Sequence, residues 1–228
     1  MNTHILDAIP FRPELMDLAR RLRVRENSPY LADLQRLRDE AERIARPKAL
    51  YKVAFIDARN GDEVTVDGVT LTSRVLRVNL EHVQRVFPYI ATCGVELDQW
   101  SHAQDDMLFR YWADVIKEMA VRDAVQALYQ HMTTQYGLGK MALMSPGSLA
   151  DWPLPQQRPL FTILGDVKSA IGVELSDSFL MIPNKSVSGL RFATEEDFAS
   201  CQLCPRENCP SRRMPYDETL YDRKYRQR

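Results

Sequence analysis

An α+β domain with an antiparallel sheet is the fold class this sequence predicts, on three observations. Short β-branched runs between Tyr51 and Val78 are separated by Asn60-Gly61 and Asp67-Gly68, the dipeptides that close tight hairpins. One long apolar stripe of helical period runs from about Glu96 to Gln135. Further short strands follow after Val173 and close the domain. A chain of 228 residues holds one large domain, or a domain with a small appendage.

Taken in order, residues 13–25 and 29–46 read as two amphipathic helices. In the second, Leu31, Leu34, Leu37, Ala41 and Ile44 recur at helical spacing, charged residues fill the other face, and Pro47 ends it. Tyr51–Ile56, Glu63–Val66, Val69–Leu71 and Leu76–Val78 are the expected strands of a small antiparallel meander, and Phe87–Thr92 is a further strand closed by Gly94. The long helix follows, with Leu97, Trp100, Leu108, Trp112, Ile116, Ala124 and Leu128 on its apolar stripe and Gly137 and Gly139 at its end. Residues 141–160 are rich in proline, and Ser145-Pro146-Gly147 reads as a tight turn after a short strand. Leu160–Ile171 reads as a short helix pair, and Val173–Leu175, Phe179–Met181 and Val187–Phe192 as strands. The tail after Phe198 has little apolar content and is expected to need a staple. There is no internal repeat.

Composition narrows the function. A net charge of −1 gives no bulk field for nucleic acid or for an anionic membrane. No apolar run approaches the ~20 residues of a membrane helix. The start of the chain lacks the basic and apolar regions of a signal peptide, so the expected location is cytoplasmic. No G-x-S-x-G, P-loop or dinucleotide fingerprint is present.

Four cysteines occur, at 93, 201, 204 and 209. Cys201-x-x-Cys204-x-x-x-x-Cys209 brings three thiolates within reach of one small centre, which suits a [4Fe–4S] cluster or a zinc ion. Three ligands leave one position to fill, and Cys93 is the remaining cysteine. It stands at the end of a predicted strand, where a buried, inert thiol is an equal expectation. Arg206, Arg212 and Arg213 surround the cluster and would offset its negative charge, whichever metal it holds. His102 and His131 fall on the long helix as packing or surface residues.

The segment Val173–Phe192, VELSDSFLMIPNKSVSGLRF, resembles the closing β-region of the S-adenosylmethionine-binding reactivation domain of cobalamin-dependent methionine synthase, L-T-E-S-x-A-M-x-P-x-x-S-V-S-G-x-x-F. Two earlier segments match in order. Residues 91–98, ATCGVELD, are similar to V-T-G-G-L-E-E-D, which opens that domain's long helix. Residues 144–147, MSPG, fall where it has R-P-A-P-G-Y. The match covers roughly residues 86–193, and its closing motif is the specific one. The resemblance implies an α+β fold around a bent antiparallel sheet. It also implies binding of S-adenosylmethionine, whose methyl group is offered to oxidised cobalamin during reductive remethylation.

Carried over residue by residue, the resemblance places Asp123 where the domain has a ligand-contacting glutamate. It puts Ser145, Pro146 and Gly147 at the adenosyl-contacting loop. The arginine of that loop maps to Leu143, so a cation for the ligand carboxylate is missing unless Lys140 or Arg191 supplies it. The ligand-contacting tyrosine pair maps to Ala199 and Ser200, just before the cysteines. The expected organisation is an N-terminal helical extension (1–48), an activation-like domain (49–198) and a metal-bound Cys-rich tail (199–228). Two functions follow. One is a stand-alone reactivation protein for a cobalamin-dependent methyltransferase, with cobalamin supplied by the partner and an iron–sulfur cluster that could deliver an electron. The other is a non-enzymatic module that docks a corrinoid protein and carries structural zinc.

Overall fold

In the computed structural model, which describes residues 3–226, the elements are β1 (Thr3–Leu6), α1 (Leu15–Leu22), α2 (Leu31–Ile44), β2 (Lys48–Lys52), β3 (Ala54–Asn60), β4 (Glu63–Val66), β5 (Val69–Thr72), α3 (Arg74–Asn79), β6 (Arg85–Thr92), α4 (Val95–His102), α5 (Met107–Tyr136), β7 (Met141–Met144), α6 (Gln157–Leu164), α7 (Val167–Ile171), β8 (Glu174–Leu175), β9 (Met181–Ile182) and β10 (Ser186–Ala193). A 3₁₀ turn at Ser200–Leu203 and a π-helical turn at Tyr221–Arg226 lie in the tail. The fold class is the predicted α+β, with an antiparallel sheet and a long central helix.

The sheet runs β1-β2-β6-β3-β4-β5, and β10 pairs with β6 on one side and β7 on the other; every pairing is antiparallel. Its bend has a local cause. Strand β6 pairs with β2 through Tyr51↔Tyr89, and then with β3 from Ala54↔Val86 onward. Pro88, which has no N–H to give a ladder, lies opposite this break. A bulge between Ile56 and Ala58 then turns β3 away with β4 and β5. Both predicted hairpins form. Asp67 and Gly68 take φ of 47° and 79°, both positive as a two-residue I′ turn needs, and Gly61 opens the other turn at φ 57°.

Two sequence expectations are corrected. Leu76–Val78 is not a strand but part of α3. Ser73 caps that helix by accepting from the Leu76 N–H, and Val75, Leu76 and Val78 are buried. A run of three residues carries too little periodicity to reveal the cap. The helical stripe from 96 to 135 is two helices. The chain breaks at 103–106, where Asp106 accepts from the N–H groups of Leu108 and Phe109 and starts α5 afresh.

Helix α5, 30 residues and about 45 Å long, lies along one face of the sheet. Ala124, Leu128 and Met132 meet Ala49, Tyr51, Phe87, Tyr89 and Ala91 there. Helices α6 and α7 cover the opposite face through Leu160, Leu164, Val167 and Ile171 against Leu50 and Ile90. Helices α1 and α2 pack on α4 and α5 around Leu18, Leu34, Leu37, Leu97, Trp112 and Ile116. The tail closes the far side. Leu220 and Tyr225 enter the core of the β3–β5 region, and the Tyr225 hydroxyl donates to Asn79 Oδ1 at 3.0 Å. Among the described residues no helix is long and apolar enough to cross a membrane.

Candidate functional site

The closing motif meets the long helix at a buried lysine that is paired with an aspartate of α4. Lys117, 2% exposed, donates from Nζ to Asp98 Oδ1 at 2.9 Å and to Asn184 Oδ1 at 3.1 Å. Lys185 pairs with Asp114 at 2.8 Å. The P-N-K turn that precedes β10 is thereby fastened to α4 and α5, so β10 enters the sheet in one register. Thr92 and Ser186, cross-strand partners at the start of β10, share a hydrogen bond at 2.9 Å.

That register decides what surrounds the Ser145–Gly147 turn. Strand β7 pairs with β10 through Met144↔Leu190 and Leu143↔Arg191. Gly189 lies under the turn: a Cβ there would come within 2.6 Å of the Met144 carbonyl oxygen and 2.8 Å of Ser145 Oγ. Gly147 takes φ +83°, and its N–H donates to the Trp152 carbonyl at 2.7 Å. The turn is therefore held close to the sheet, over Tyr89. Burial pushes the Tyr89 phenol up, while the Arg191 and Arg213 guanidiniums and the Ser145 side chain pull the other way.

Arg191 stands directly across the strand pair from Leu143, so the cation missing at that position is present on the neighbouring strand. It is 7% exposed and its guanidinium carbon lies 5.3 Å from the Tyr89 ring centroid and 5.2 Å from that of Tyr129. Its Nε is enclosed without a partner. Lys140, the other candidate cation, is on the surface and pairs with Asp197 at 2.7 Å. The sequence pointed to Arg191 only as a substitute. Tyr89 and Tyr129 lie within a strand and a helix of the core, and the packing of β6, β10 and α5 brings them to Arg191.

The remaining predicted residues lie elsewhere. Asp123 is on an exposed face of α5 toward α1; partial burial raises its carboxyl, and the Arg21 guanidinium opposes that shift. Cys93 is fully buried beside Leu97, Ala120 and Val121, and burial pushes its thiol up to about 12, with Asp98 adding to the rise. Cys93 is packed in the core where β6 meets α4. Cys201, Cys204 and Cys209 are partly exposed in the tail. Among the described residues no three His, Cys, Asp or Glu side chains gather as a metal-holding group. His131 hydrogen-bonds the Tyr51 hydroxyl and His102 the Asp98 carbonyl.

The cysteine loop is instead organised by arginines. The Arg212 guanidinium donates to the carbonyls of Cys201, Cys204, Arg206 and Met214. Burial alone would raise the Cys201 thiol, but the backbone N–H groups of Arg213 and Met214, with the Arg213 side chain, outweigh it and hold the thiol below its ordinary value. Arg213 thus acts on both the cysteine loop and Tyr89.

No protein-family model matches the sequence. No curated protein matches it. Among solved structures, the chain is similar to one described as the MetH reactivation domain bound to AdoHcy, with 16% sequence identity and a TM-score of 0.61, over 88% of this chain and 81% of that one. The bent antiparallel sheet and long helix are therefore the fold of that reactivation domain, and the resemblance read from three short motifs extends over most of the chain.

Proposed function

We propose that the protein is a reactivation module for a cobalamin-dependent methyltransferase, holding an S-adenosylmethionine-type ligand at the Ser145–Gly147 turn and presenting it to a corrinoid carried by a partner protein. The observation that carries this reading is the fold shared with a domain bound to AdoHcy. A buried guanidinium with an unpartnered Nε, across the strand pair from Leu143 and so two residues before the turn, supports the reading. When bound, S-adenosylmethionine supplies an electrophilic methyl group. Ser145 offers a hydroxyl to the ligand and Gly147 keeps the turn tight, while Asp123 faces Arg21 on α1. The experiment is methyl transfer to a cobalamin-loaded methyltransferase held in the Co(II) state with a reductant. Methylcobalamin, followed by its visible spectrum, should form only when both this protein and S-adenosylmethionine are present. No methylcobalamin at saturating protein would reject the reading.

The tail thiols Cys201, Cys204 and Cys209 remain in the proposal as ligands of one centre, zinc or [4Fe–4S], with Cys93 as the proposed fourth ligand. A cluster there would bring redox chemistry and a zinc ion would be structural. Anaerobic purification with metal analysis tests this, and Cys204→Ser should lose the metal. A second reading, a non-enzymatic docking module, draws on one observation: Asp123 faces Arg21 on α1 rather than an open site. Formation of methylcobalamin in the same assay rejects it.

A further inference from the structure

The N-terminal end of α5 carries an apolar surface far from the Ser145–Gly147 turn. Met107 is 85% exposed, Tyr111, one turn further on, is 57% exposed, and Tyr30 at the start of α2 is 51% exposed. Large apolar side chains gathered in water in this way mark a contact surface. Beside them lies an open groove of about 480 Å³ between the α1–α2 connection and α5, lined by Leu22, Val24, Leu108 and Trp112 among others. Arg23 and Arg25 also line the groove, and no acidic side chain does. The acids of this end, Asp105 and Asp106, are exposed and immediately precede Met107. Among the described residues, Arg23, Arg25 and Asp105 have no ion-pair partner. The protruding side chains thus sit next to negative charge, and the groove carries positive charge.

We propose that this end of the molecule is the interface of a two-fold dimer, in which Met107 and Tyr111 of one copy enter the groove of the other. Entry brings Asp105 and Asp106 of the first copy toward Arg23 and Arg25 of the second. Each copy has both the protrusion and the groove, so the same contact is made twice and the assembly closes at two chains. Tyrosine, tryptophan, methionine and arginine are the residue types enriched in such contacts. The net charge of −1 leaves little general repulsion between copies. Tyr129, beside Arg191, lies about 33 Å further along α5 than Met107, so the Ser145–Gly147 turn stays open in both copies. The dimer does not rest on the function proposed above.

Sedimentation velocity of the full chain tests this. Wild type should sediment as a dimer at micromolar concentration. Met107→Glu, which sets a carboxylate against the apolar groove, should weaken self-association about thirtyfold or more. An acidic residue is favourable in the first turn of a helix, so this variant keeps α5 intact. Arg25→Glu, at an exposed position, should weaken self-association as well. Met107→Leu should leave the dimer in place. So should Leu180→Glu, at an exposed apolar residue of the β8–β9 connection. A wild type that stays monomeric overturns the proposal and leaves the groove to an acidic segment of another protein. A dimer unchanged by Met107→Glu or by Arg25→Glu overturns it too, because its interface then lies elsewhere.

Discussion

Charged residues placed inside the protein mark where its architecture is most exacting. Lys117 sits within an apolar stripe and is neutralised by Asp98 from the preceding helix, with Asn184 accepting another of its protons. Removing the lysine alone leaves the Asp98 carboxylate buried with only His102, at 3.7 Å, beside it. Lys117→Ala should therefore cost about 3–5 kcal/mol, read as a lower urea midpoint, and Lys117→Met with Asp98→Leu should recover most of it. A single variant as stable as wild type would remove this pair from the account. Asp123 is the opposite case. Its carboxyl is raised by burial, so the folded protein holds that proton more tightly than the unfolded chain and stability declines as pH rises through the carboxylate range. Asp123→Asn should be as stable as wild type or slightly more so at neutral pH, and the difference should vanish below about pH 4. Greater stability of wild type at neutral pH would mean that Arg21 dominates. The sequence made the cysteines and Asp123 visible because their types and spacings are distinctive. Arg191 and Tyr89 were hidden in runs of core residues, and a cross-strand pairing is not written in either run alone.

At the scale of elements, hairpins and long periodic helices were legible, and boundaries set by capping were not. Asp67-Gly68 and Asn60-Gly61 identified their turns because positive φ is affordable at few residue types. The break before α5 was missed because Leu97, Trp100 and Trp112 keep the apolar stripe in phase across it, while the decisive signal is one aspartate cap at 106. β1 was missed as well. Its four residues form an edge strand paired with β2 and have no repeating pattern of their own. In the tail, Arg212 ties the loop and Tyr225 anchors the end in the core. Arg212→Ala should hasten proteolysis after about residue 195 and cost about 1.5–3 kcal/mol, the worth of a charged hydrogen bond. Cleavage no faster than in wild type would show that Tyr225 alone holds the tail.

For the whole molecule, the segments expected as extension and tail both pack into the body of the fold. β1 lengthens the sheet, α1 and α2 cover α4 and α5, and the tail fills the side next to the β3–β5 hairpins. The class of fold was readable from the meander, the long helix and the closing motif together, since each constrains the others. The proposed ligand site was readable only in part, because it lies where β6, β7, β10 and α5 converge from distant stretches of chain. The central claim is that this convergence binds an S-adenosyl ligand at the Ser145–Gly147 turn. Calorimetric titration of S-adenosylmethionine into the full-length protein tests it most directly. The account predicts saturable binding at one site per chain, weakened about tenfold or more by Arg191→Gln. No heat at millimolar ligand, in protein with an intact fold and its tail in place, would contradict it.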